Sequence, residues 1–214
     1  MKKLLQNKLL GSAMIFTLSN IFNKGLNFML LPVLTSYLSR DDYGHLGFIV
    51  SVVAIASIYI GLWPGNFIMA KFSLLGKEKM ARYMSNILIL VFITFVLTLG
   101  VLFGLRDVIF VNFEERDLLI VTIAVYTLLL VIFNIFNTIT QLEKDAVRYA
   151  IFQFMYLFPS LALALLLIIV FHFDWHGKFY AELLMLFLLS LYILYYFIRE
   201  KYVVWEFDTE KLKA

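Results

Sequence analysis

The chain has 214 residues, of which 63% are hydrophobic and only 15% charged, and its mean hydropathy is +0.90. A soluble domain is about half apolar and a quarter charged, so this composition argues against a water-soluble fold. The lack of cysteine excludes a disulfide framework and any thiolate site, and a net charge of +3 without a long basic run argues against nucleic-acid binding.

The N-terminus carries Lys2, Lys3 and Lys8 ahead of an apolar run. That run is too long for a secretory signal peptide, contains Lys24 and lacks a small-residue cleavage site, so it reads as a retained first helix. A bilayer core about 30 Å thick needs roughly 20 apolar residues per helix. Six stretches satisfy this, at about 11–38, 46–70, 84–105, 118–140, 149–171 and 179–198. None alternates as a barrel strand would, so all six read as helices. Between the third and fourth, Val108, Ile109, Phe110 and Val111 are expected to lie along the membrane interface. Residues 199–214 form a polar tail.

Lysine and arginine set the orientation. The N-terminal segment, the second and fourth loops and the tail together hold 13 of them, including Lys71, Lys77, Lys79, Arg82, Lys144 and Arg148. The other side has four: Arg40, Arg106, Arg116 and Lys178. The expected fold is therefore an all-α integral membrane protein, a single bundle of six transmembrane helices with both termini in the cytoplasm.

Lys24 falls at the midpoint of the first span, where an ammonium costs at least about 2.5–3.5 kcal/mol and the stem reaches neither surface easily. No Asp or Glu sits at matching depth; Glu182, the nearest, lies towards the outer end of the sixth span. Asn20, Asn23, Lys24 and Asn27 share one helical face, which Thr17 extends by a turn. The fourth span repeats the spacing with Asn134, Asn137, Thr138 and Gln141, and the fifth offers Gln153, Tyr156 and Ser160. Such faces turn towards protein or water, and together they predict a substrate-binding cavity open to the cytoplasm. The alternative for any single carboxamide is a hydrogen bond between helices, worth about 0.6 kcal/mol. Pro32 removes a backbone hydrogen bond to Phe28 and, with Gly25, predicts a hinge in the first helix. Pro64 ends the second span, and Pro159 lies within the fifth.

Two groups invite an enzymatic reading. Asp41-Asp42 on the first outer loop could serve as a base or hold a metal, as in some membrane glycosyltransferases, but a polar turn with Asp as helix cap accounts for them. His172-x-Asp174-x-His176 has three potential ligands, yet alternate spacing in a loop next to the interfacial aromatics Trp175 and Tyr180 reads as solvated chain. There is no phosphate-cradling glycine loop, nucleophile elbow or Walker-type lysine. Neither an enzyme nor an ATP-driven pump is expected, and no cofactor or metal.

In the first span, Asn23-Lys24-Gly25-Leu26-Asn27-Phe28, then Leu31-Pro32-Val33-Leu34-Thr35, then Leu38-Ser39-Arg40-Asp41-Asp42-Tyr43-Gly44 resembles the opening of the O-antigen and polysaccharide flippases. These belong to the multidrug/oligosaccharidyl-lipid/polysaccharide exporter (MOP) superfamily. The resemblance is strongest over residues 11–85 and implies one bundle of a two-bundle transporter of the bacterial inner membrane. It implies movement of undecaprenyl-diphosphate-linked oligosaccharide between leaflets, with Lys24 against the diphosphate and Asn and Gln against sugar hydroxyls. Partners would be the lipid-linked glycan, membrane lipids, and a second six-helix half or a second copy. The tail, Trp205 to Lys213, looks like the linker before a seventh helix, so the chain would supply the amino-terminal half. The alternatives are a drug or amphiphile exporter of the same superfamily, and a membrane glycosyltransferase using Asp41 and Asp42.

Overall fold

The computed structural model describes residues 2–72, 74 and 77–203; the side chains of 2–10, 27, 61–67, 77 and 78 lie outside that description, as does most of the tail. Among the described residues six long helices and one short one follow in order: α1 (Lys2–Tyr37), α2 (Arg40–Phe72), α3 (Lys77–Gly104), α4 (Arg106–Ile109), α5 (Arg116–Leu142), α6 (Ala146–Ile169) and α7 (Trp175–Arg199). Five of them are long and apolar enough, among the described residues, to cross a membrane: parts or all of α2, α3, α5, α6 and α7. The expected sixth span, α1, is not among these five; residues 2–10 and 27 of α1 lie outside the side-chain description.

The bundle is organised around α5, which touches α2, α3, α6 and α7. Its sequence explains this position. Ile120, Ile123, Ala124, Thr127, Phe136, Ile139 and Thr140 are fully enclosed, and the two threonines bond their hydroxyls back to Ile123 and Asn137 carbonyls of their own helix, so burial leaves neither unsatisfied. Phe136 packs against Phe152 of α6, with ring centroids 4.4 Å apart and planes inclined at 45°, and meets Tyr196 and Phe197 of α7. Helix α1 stands at the edge and packs chiefly on α6. The buried side chains of its described part, Ser19, Leu30 and Leu34, make a single strip along one face.

Local chemistry sets the helix ends. Ser39, rather than an aspartate, caps α2: its Oγ accepts the Asp42 amide at 3.1 Å, while the Asp42 carboxylate accepts the Ser39 amide at 3.2 Å. This reciprocal pair is a capping box. Asp145 caps α6 by accepting the Arg148 amide at 3.0 Å. At the opposite ends, Lys144, His172 and Lys201 take the left-handed conformation, with φ of 60°, 53° and 57°. After Lys144 and Lys201, the Asp145 and Tyr202 amides reach back five residues to the carbonyls of Thr140 and Phe197, closing Schellman turns.

Two expectations about connections are corrected. Helix α2 does not end at Pro64 but continues to Phe72. Helix α1 is assigned as one helix with Pro32 inside it, and the Thr35 and Ser36 hydroxyls both donate to the Pro32 carbonyl. In the α3–α5 connection Val108 and Val111 are exposed as an interfacial segment would be, but Phe110 is fully buried between Phe48 and Phe113.

Candidate functional site

The polar faces expected to line a cavity meet at the α1–α6 seam. Asn23 donates its amide to Gln153 Oε1 at 2.6 Å, and the Tyr149 hydroxyl donates to Asn20 Oδ1 at 2.7 Å. Gln141, at the end of α5, and Gln153 also approach the Tyr149 hydroxyl. The stripe on α1 and the polar residues of α6 therefore satisfy one another across the helix contact, as hydrogen-bonded carboxamides do in apolar surroundings. Tyr149 was not singled out from sequence, yet it is the hub that joins three helices. Its position four residues before Gln153, on the same face of α6, was the available signal.

The rest of the expected set divides. Asn137 is buried in the α5 packing with its side-chain Oδ1 unpartnered among the described residues, whereas Asn134 and Gln141 are exposed. The side chain of Asn27 lies outside the described residues. Lys24 is exposed on α1, one position beyond Asn23, and has no hydrogen-bond or ion-pair partner among the described residues. It borders the seam rather than closing it. What emerges is a hydrogen-bonded seam of carboxamides and a phenol between α1 and α6, with the Lys24 ammonium exposed beside it.

A second intramembrane polar group was missed. Lys178 and Glu182, one turn apart on α7, form an ion pair at 2.7 Å, with only 18% and 19% of their side chains exposed. The Tyr126 hydroxyl of α5 donates to the other Glu182 oxygen at 3.0 Å, and the Tyr156 hydroxyl lies in reach of Tyr126. Beginning the sixth span at residue 179 put Lys178 in a loop and left Glu182 without its partner. The helix begins at Trp175, and the Lys-x-x-x-Glu spacing was the signal.

The groups considered for enzymatic chemistry are occupied or dispersed. Asp42 belongs to the α2 cap and Asp41 is exposed beside it. His172 is exposed in its left-handed turn, while His176 stacks on Trp175 at 3.6 Å. Among the described residues no three His, Asp or Glu groups converge as a metal site would require. At the opposite end of the bundle, Arg148 joins the α5–α6 turn to α7. It bridges Asp145 at 3.2 Å and Glu143 at 3.6 Å, and donates to the Tyr196 hydroxyl. The Tyr202 hydroxyl, just beyond α7, donates to Glu143; burial first, and this carboxylate second, push its phenol above the usual range, so it remains the donor.

No family model matches the sequence, and no curated protein does. Among solved structures the chain is similar to the crystal structure of a point mutant of MATE, a membrane transporter, with a TM-score of 0.65 at 21% identity. The alignment covers 96% of this chain and 48% of the other, so the chain spans about half the length of the transporter it matches. The fold is that of one helical half of a MATE transporter.

Proposed function

We propose that the chain is one half of a two-bundle membrane transporter and acts in export of amphiphilic molecules, with both termini on the cytoplasmic side. The observation that carries this reading is the fold: nearly all of the chain aligns with half of a transporter, so a central cavity would need a second wall from a second six-helix unit or a second copy. The polar seam and Lys24 at the bundle edge support the assignment of the α1 side to that cavity. An unpaired ammonium is costly in lipid, and a facing bundle with water between would remove most of the cost. Gly25 and Pro32 would then be where α1 bends as access alternates.

Export of drugs or other small amphiphiles is the reading the MATE fold supports better. A lipid-linked oligosaccharide is the second reading, and Lys24 favours it: an unneutralised cation suits a diphosphate, while carboxamides suit sugar hydroxyls. Its setting would be the bacterial inner membrane.

The test is transport in proteoliposomes by the chain assembled with its second half, using a fluorescent amphiphile and, separately, a polyprenyl-diphosphate-linked glycan. Movement of the amphiphile alone supports the first reading, and movement of the glycan the second. Lys24→Ala is expected to abolish glycan movement without loss of insertion, while Lys24→Arg retains part of it. Wild-type rates for the alanine variant would remove Lys24 from the mechanism, and no movement of either compound by the assembled pair would refute the transport reading.

A further inference from the structure

We draw no further inference here: the strongest candidate, the cavity of about 330 Å³ between α2, α5 and α7 beside the Lys178–Glu182 ion pair, has its charged groups bonded to each other and to Tyr126, so nothing in the structure shows what would occupy it.

Discussion

The ion pair on α7 permits a quantitative test of how this bundle tolerates charge. Glu182→Gln removes the negative charge but keeps an oxygen that can accept from Tyr126, so the change isolates what happens to Lys178. Both side chains are about four-fifths buried, and Lys178 would be left as a charge within 2.7 Å of a neutral group. Removing one partner of a buried pair costs about 3–5 kcal/mol, because the survivor remains desolvated without compensation. Lys178 lies in the first turn of α7, and its four-carbon stem gives it some reach towards the aqueous edge, which places the expectation at the lower end, about 3 kcal/mol. Tyr126→Phe deletes only a donor to a carboxylate that keeps its lysine, and should cost about 1 kcal/mol.

The measurement is reversible loss of helicity as the mole fraction of sodium dodecyl sulfate rises in mixed micelles. Replacing both members, as Lys178→Met with Glu182→Met, removes the buried charges together. It should recover most of the stability lost by Glu182→Gln, since an apolar pair of similar volume is commonly neutral relative to an ion pair. The cycle refutes the reasoning in either of two ways. A loss below about 0.5 kcal/mol for Glu182→Gln would mean the pair behaves as a solvated surface bridge. A double variant as unstable as the sum of the separately measured Lys178→Met and Glu182→Met variants would mean the two groups are not coupled.

Three further outcomes follow from local geometry, each read by the same denaturation. Ser39→Ala removes the acceptor for the Asp42 amide and half of the capping box, so α2 should lose about 1 kcal/mol, while Asp41→Asn next to it should change little. Gly177→Ala places a methyl group 2.9 Å from Ile168 Cγ1, 3.2 Å from Leu167 Cβ and 3.3 Å from Phe173 Cβ, an overpacking expected to cost about 1–3 kcal/mol. Lys144→Gly relieves a side chain held at φ 60° in an exposed Schellman turn and should stabilise by about 0.5–1 kcal/mol.

What the sequence made legible was governed by one-dimensional rules. Apolar runs of sufficient length identify α2, α3, α5, α6 and α7, because an uninterrupted hydrocarbon-compatible segment needs no knowledge of its neighbours. The same arithmetic was blind to partners. It treated Glu182 as an acid at the wrong depth for Lys24, whereas its partner was Lys178 on the same helix, one turn away. It read Asp41-Asp42 as the cap and passed over Ser39, although Ser-x-x-Asp at a helix start has its own signature. Residues 108–111 of the α3–α5 connection read as interfacial, yet Phe110 turns inward because Phe48 and Phe113 offer it rings to pack on. Ring-on-ring contacts between distant segments are not encoded by spacing along the chain.

The polar stripe on α1 shows where sequence periodicity stops being informative. Spacing established that Asn20, Asn23 and Lys24 share a face; it did not establish whether that face meets protein, water or a ligand. The structure separates them within four residues: Asn20 and Asn23 bond to Tyr149 and Gln153 of α6, while Lys24, about 100° further round the helix, meets none of these groups. Asn20 and Asn23 are thus engaged within this bundle, whereas Lys24 is exposed beside the seam. Replacing the seam carboxamides should therefore destabilise the α1–α6 contact whether or not transport occurs, read as an earlier loss of helicity in the same denaturation.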